Sequence, residues 1–383
     1  MNRVFSELDP RALESLGAGH TVREILGQPE LWGATLARVE AERPALLPFL
    51  QETLGARDRC VVLTGAGSSA FIGELLQGPL TRRLGRSVRA IPTTDLVTHP
   101  EECLVRDAKT LLVSFARSGN SPESVAAMDR VEATVADVRH LVITCNPGGH
   151  LARHATRSPR AVFLLPPQAD DQGLAMTGSF TAMALAGLLA LAVEDLPSSA
   201  ATGRRLREAG LRLLDQGDVF RRTGALDFRR AIFLGSGPLL GAARECHLKL
   251  QELTAGAVSC TFDSFLGFRH GPRAVVDPRT LLVFLFSGSE AIRSYEEDLL
   301  AQINGGERGL FRLGVGGRPR PPDVDATLAL DGIPDDERAI AAVITAQILG
   351  VYRSLALRLR PNAPSPTGAI ARVVQGVRIY PRP

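Results

Sequence analysis

Apolar residues along this chain alternate between two patterns. Short runs rich in Val, Ile, Leu and Phe are bounded by Gly, Pro or Asp, and between them apolar positions recur every three or four residues. The short runs predict strands at residues 60–65, 88–92, 110–115, 140–145 and 161–165, then at 230–235, 258–262, 280–286, 310–315 and 326–330. The intervening stretches of about 15–25 residues predict helices. Strands alternating with helices imply parallel sheets joined by helical crossovers, so the fold class is α/β.

The pattern repeats. Asp107-Ala108-Lys109-Thr110-Leu111-Leu112-Val113 recurs 170 residues later as Asp277-Pro278-Arg279-Thr280-Leu281-Leu282-Val283. The same offset of 170 carries Val61–Gly67 onto Ala231–Gly237, and Leu141–Thr144 onto Phe311–Gly314. Three strand-like runs sharing one offset predict two copies of one unit, a parallel sheet flanked by helices. The expected organisation is an N-terminal helical extension at 1–57, a first unit at 58–200 and a second at 201–383.

In the extension, Thr21-Val22-Arg23-Glu24 has the spacing of a capping box opening a helix, with a second helix from about Leu31. The connection 194–230 reads as helical. Residues 180–193, apolar on every side and too short for a bilayer, predict a buried helix. The segment Pro361-Asn362-Ala363-Pro364-Ser365-Pro366 cannot be helical, because proline lacks the amide donor and restricts the residue before it. Residues 372–377 then read as extended, either as a loose tail or as an ordered flap over a site.

Composition narrows the class. Basic residues number 44 against 41 acidic, a net charge of +3, so no broad cationic field points to nucleic acid. Five cysteines without a CxxC pair argue against a disulfide framework or structural zinc and for a reducing compartment. The N-terminus shows no signal-peptide core. A cytoplasmic protein with no membrane partner is the expectation. Arginine supplies every cation except Lys109 and Lys249, so a retained lysine draws attention to its place.

Two loops could hold a phosphate. Gly65-Ala66-Gly67-Ser68-Ser69 follows one strand, and Arg117-Ser118-Gly119-Asn120-Ser121 follows another; both lead into helices. Glycine allows close backbone approach, the helix start offers amides and a positive dipole, and serine adds donors. Neither loop has a dinucleotide fingerprint or the Gly-Lys-Ser/Thr of a nucleotide P-loop. The second-copy counterparts, Gly235–Leu240 and Phe286–Glu290, are poorer in hydroxyls. That copy carries other chemistry: Glu245, Lys249 and Glu252 are spaced i, i+4, i+7 and share one helix face. A lysine between two carboxylates suits a proton-transfer base. His270, in Phe268-Arg269-His270-Gly271-Pro272, has a side chain suited to proton transfer near neutrality. His150 and His154 have helical spacing for a metal pair, but no third ligand completes a set, so no metal is expected.

These residues resemble the sugar isomerase (SIS) domain superfamily over roughly residues 40–383. Gly67-Ser68-Ser69 and Ser118-Gly119-Asn120-Ser121 look like its two phosphate loops. Glu245-x-x-x-Lys249-x-x-Glu252 followed by His270-Gly271-Pro272 resembles the isomerase segment of glucosamine-6-phosphate synthase. Residues 114–124, 250–256 and the tail 364–377 are similar to the branch of tagatose-6-phosphate ketose/aldose isomerases and galactosamine-6-phosphate deaminases.

The resemblance implies two tandem SIS domains with flavodoxin-like layers and a hexosamine 6-phosphate substrate. It implies phosphate held by Gly67, Ser68, Ser69, Arg117, Ser118, Gly119, Asn120 and Ser121. Glu252 would be the base, His270 would open the ring, and Lys249 and Glu245 would tune charge. Gln375 would stand on the flap where the synthase has lysine. A homodimer or higher homo-oligomer and no cofactor are further implications. The glutaminase domain of the synthase is absent, so release of ammonia, or plain isomerisation, is favoured. A phosphosugar-sensing regulator is the remaining alternative, and it need not have kept Glu252 and His270.

Overall fold

The computed structural model describes residues 4–191, 196–316, 323–374 and 376–380. Among these residues ten strands form two five-stranded parallel sheets. The first contains β1 (Cys60–Thr64), β2 (Val88–Ala90), β3 (Thr110–Ala116), β4 (Val138–Thr144) and β5 (Arg160–Leu164), in the order β2-β1-β3-β4-β5. The second contains β6 (Arg230–Leu234), β7 (Ser259–Asp263), β8 (Thr280–Leu285), β9 (Phe311–Val315) and β10 (Ala326–Leu328), in the order β7-β6-β8-β9-β10. The two orders are the same.

Register follows the same rule. Cys60 pairs with Thr110 and Thr64 with Ser114, while Arg230 pairs with Thr280 and Leu234 with Phe284; each second pair lies 170 residues beyond the first. The central strands β3 and β8 are buried along their whole length. A parallel strand covered by helices on both faces therefore reads as an apolar run rather than an alternation.

The residues group into two compact units that interleave in sequence. One comprises 31–170, 178–201 and 371–383, and the other 1–30, 171–177 and 202–370. This division differs from the sequential boundaries 1–57, 58–200 and 201–383. The first helices belong with the second sheet because Gly19–Leu26 packs on Asp335–Ala356. The Thr21 amide and hydroxyl also both donate to Asn362 Oδ1, at 3.0 and 3.1 Å. From Leu31 onward the chain joins the first sheet's unit, where the Trp32 indole donates to Thr181 Oγ1 at 3.1 Å. The tail returns to that unit as well, since Arg130 donates to the Tyr380 carbonyl at 2.8 Å.

The expected capping box is not formed. The helix opens at Gly19 with Ala18 before it, and Thr21 lies inside the helix, where Asn362 takes its donors. Glu24 accepts instead from the amides of Gln172 and Gly173, at 2.6 and 3.1 Å. Both side chains make long-range bonds in place of local caps. The helix Gly178–Ala190 is buried at every position, as its all-round apolar pattern requires. A second apolar helix, Asp335–Ala356, escaped the sequence pattern because charged residues open it. It has the length and composition of a bilayer span, yet 89% of its apolar window is buried within the protein. Residues 372–374 contain no strand.

Candidate functional site

The first sheet's unit presents two loops at the carboxyl ends of β1 and β3, which are hydrogen-bonded neighbours. After β1, the carbonyl of Gly65 accepts from the Thr93 amide and hydroxyl at 2.9 and 3.1 Å. A Cβ on Gly65 would overlap the backbone of Ser69, so no other residue fits there. Gly67 adopts φ +56°, ψ −129°, a region open only to glycine. That bend starts the helix Ser68–Leu84 with no side chain capping it, and Ser68 and Ser69 lie in its buried first turn. A helix start of this kind is a suitable anion seat.

The loop after β3 is tightly braced. Gly119 has φ +63° and packs close to Leu151. The Asn146 carboxamide donates to the Ser118 carbonyl at 2.9 Å, and the Asn120 amide donates to Ser118 Oγ at 3.3 Å. The Asn120 side-chain oxygen accepts from the His150 amide at 3.1 Å. Ser121 and Ser124 hydroxyls sit 3.1 Å apart at the start of the helix Pro122–Thr134. Arg117 is buried, and its guanidinium donates to the carbonyl of Arg372 at 2.5 Å. Arg372 in turn pairs with Asp170 at 2.5 Å. Arg117 thus straps the C-terminal segment to this loop, a contact that sequence proximity could not suggest. Gln375 lies outside the described residues.

The second sheet's unit carries the acid–base cluster on the helix Pro238–Leu253. Glu245 and Lys249 are buried, while the Glu252 side chain keeps a quarter of its surface exposed. Lys249 Nζ lies 2.5 Å from Glu252 Oε2 and 3.4 Å from Glu245 Oε1. The shared face inferred from spacing is therefore a real cluster, with the ammonium between two carboxylates. The Lys249 ammonium donates to an oxygen of the carboxylate that remains partly open to solvent.

Burial pushes the Cys246 thiol far up and holds the His247 imidazole below its usual range, so neither neighbour is equipped to titrate in their place. His270 lies on a different element from the cluster, outside the helix Pro238–Leu253. It is exposed in the loop after the helix Phe265–Phe268, with its amide bonded to the Gly267 carbonyl at 3.1 Å. Its ring has no hydrogen-bond partner among the described residues. Among those residues no group of three or more His, Cys, Asp or Glu is placed to hold a metal. His154 sits 2.7 Å from Asp129 instead.

Comparison with known proteins follows the same lines. The SIS domain model matches residues 56–193. The chain is 45% identical over 378 residues to AgaS of Streptomyces coelicolor, covering 95% of this chain and 96% of that one. It is 39% identical over 370 residues to D-galactosamine-6-phosphate deaminase AgaS of Escherichia coli, covering 94% and 95%. Among solved structures, tagatose-6-phosphate ketose/aldose isomerase from Escherichia coli superposes with a TM-score of 0.87 at 36% identity, covering 94% of this chain and 96% of that one.

Proposed function

The chain belongs to the SIS-domain family, in the branch that holds the AgaS deaminases, and on that footing we propose that it releases ammonia from a hexosamine 6-phosphate. Galactosamine 6-phosphate is the substrate the relatives' names favour, and tagatose 6-phosphate is then the sugar product. The observation that carries the chemistry is the Lys249 ammonium, 2.5 Å from a partly exposed Glu252 and backed by a buried Glu245.

In this mechanism Gly67, Ser68, Ser69, Ser118, Gly119, Asn120 and Ser121 hold the phosphate through hydroxyls and loop amides. His270 moves a proton between the ring oxygen and the hydroxyl on carbon 1, exposing the aldehyde. Glu252 takes the proton from carbon 2, and the electron pair left behind forms the enolamine. Return of that proton to carbon 1 gives the imine at carbon 2. Water adds to the imine and ammonia leaves, so substrate and one water become ketose phosphate and ammonia. Each step is a proton transfer or a hydrolysis, with no electrons exchanged with another group.

The same base and cradle would serve an amine-free aldose–ketose isomerisation, the reaction named for the Escherichia coli structure. The proposal extends to a homodimer, to the cytoplasm, where five free cysteines are expected to stay reduced, and to an origin by duplication. The shared strand order and the shared register offset support that last point.

The test is ammonia release from galactosamine 6-phosphate, with glucosamine 6-phosphate and tagatose 6-phosphate in parallel and Glu252→Gln as the control. Loss of the base should cost at least about 10²-fold in kcat. No ammonia from either amino sugar, with interconversion of the amine-free sugar, would replace deamination by isomerisation. Full activity of Glu252→Gln would remove Glu252 from the mechanism.

A further inference from the structure

The second sheet repeats the backbone of the phosphate cradle. Gly237, which opens the helix after β6, has φ +57°, ψ −125°, within a few degrees of Gly67 at +56°, −129°. A Cβ on Gly235 would overlap the backbone of Leu239, as one on Gly65 would overlap that of Ser69. The loop after β8 lies beside the loop after β6, as the loop after β3 lies beside that after β1. What differs is the contents.

Glu296, from the helix Glu290–Asn304, is fully buried and accepts from the Ser287 amide at 2.9 Å on Oε2. Ser287 is in the loop after β8. From the loop after β6, the Ser236 hydroxyl lies close enough to favour the ionised carboxylate. It makes no hydrogen bond of good geometry to Oε1, which is buried without one. Asp335 accepts from two further donors of the β8 loop, the Ser287 hydroxyl and the Gly288 amide, at 2.5 and 2.7 Å.

Two buried arginines surround these carboxylates. Arg293 donates to the Ser287 carbonyl at 3.2 and 2.6 Å, and Arg338 donates to the Phe286 carbonyl at 2.9 Å with its Nε 3.8 Å from Asp335. At the position matching Glu296 the first copy has Ala126, followed by Ala127 and Met128, all buried and apolar; the acidic residue of that helix's first turn, Glu123, sits one turn earlier.

We infer that Glu296 is a built-in anion, seated where the first copy's cradle would take a phosphate, so that each chain has one phosphosugar site and a second cradle sealed by its own carboxylate. The inference rests on the first cradle being read as a phosphate site. Burial is the main cost of the arrangement, and it pushes the Glu296 carboxyl up to about 7. A carboxylate carries less charge than a phosphate, and an oxygen left without a hydrogen bond suits a ligand replaced by a side chain. Removing the side chain should therefore expose an anion site with a cationic surround.

The experiment uses the full chain and inorganic phosphate as probe, with sodium chloride at matched ionic strength as reference. Melting temperatures are compared for wild type, for Ser68→Ala/Ser118→Ala, and for that double variant carrying Glu296→Ala. The triple variant should gain a phosphate-specific rise of about 3–6 °C over its parent at about ten times Kd. Glu296→Gln, which keeps the cradle filled, should gain none.

Wild type against the double variant reads the first cradle alone, so failure of the functional proposal is distinguishable from failure of this inference. If Glu296→Ala is unfolded in chloride, phosphate should restore its folding. A triple variant that responds no more than its parent overturns the inference. So does an unfolded variant that phosphate fails to restore, in Glu296→Ala and Glu296→Ser alike.

Discussion

Replacing Lys249 by methionine removes the ammonium from a helix face where two carboxylates meet it. The side chains of Lys249 and Glu245 are 1% and 0% exposed, so this is a buried pair rather than a surface one. Deleting one member of a buried pair costs roughly 3–5 kcal/mol, because the other charge stays in a poorly solvated place. Glu252, at 25% side-chain exposure, is solvated enough that its share is about 1 kcal/mol or less.

For a unit of 150–250 residues each kcal/mol is about 2–4 °C, so Lys249→Met should lower the melting temperature by roughly 6–20 °C. The companion variant Glu245→Leu/Lys249→Met removes both buried charges at once. Apolar replacement of a whole buried pair is often neutral, so the double variant should recover all but about 1 kcal/mol. Scanning calorimetry of the three proteins at one pH and salt concentration measures this. A single variant within about 3 °C of wild type would refute the reasoning. So would a double variant no better than the single one, since the loss would then be packing rather than stranded charge.

Glu296 should make stability depend on pH. Its folded pKa, raised to about 7 by burial, exceeds the ordinary carboxylate value of 4.5, so the folded state binds more protons between those values. Stability is therefore greatest below the unfolded value and falls as pH rises toward 7, by on the order of 3 kcal/mol at most. Glu296→Gln should flatten that slope in urea midpoints measured from pH 4.5 to 8, and an unchanged slope would count against it. Gly67→Ala has room for its Cβ but not the backbone angles, a strain of about 1–3 kcal/mol. If the loop relaxes to relieve it, KM for the sugar phosphate should rise about tenfold or more; an unchanged KM would deny Gly67 a part in the cradle. Arg117→Ala removes a charge-assisted bond to the Arg372 carbonyl worth about 1.5–3 kcal/mol. Amide exchange at residues 371–374 should then quicken by about tenfold or more, and unchanged exchange would show that the strap is not needed.

Much of the fold was legible because it is written locally. Buried parallel strands appear as apolar runs, and the strands starting at Cys60, Thr110, Arg230 and Thr280 were readable at their positions with the 170-residue offset intact. The helix face shared by Glu245, Lys249 and Glu252 followed from the 3.6-residue period alone. Loops rich in glycine and serine at strand ends marked the first cradle, since Gly65 and Gly67 are required by contact and by backbone angle.

Other features belong to tertiary structure. Thr21 and Glu24 had the spacing of a cap, but Asn362 lies 341 residues away and still takes the Thr21 donors. The place of Arg117 in a loop suited to phosphate is local, but its bond to a carbonyl 255 residues distant has no local signal. Helical spacing puts Glu296 on the same face as Leu299, Leu300 and Ile303, but that spacing alone does not say what its carboxylate meets there. Periodicity decides which residues share a face, because that depends on neighbours three and four positions along. Burial and pairing between distant segments decide which carboxylate loses its water, and those arise only when the sheet and its helices close around it.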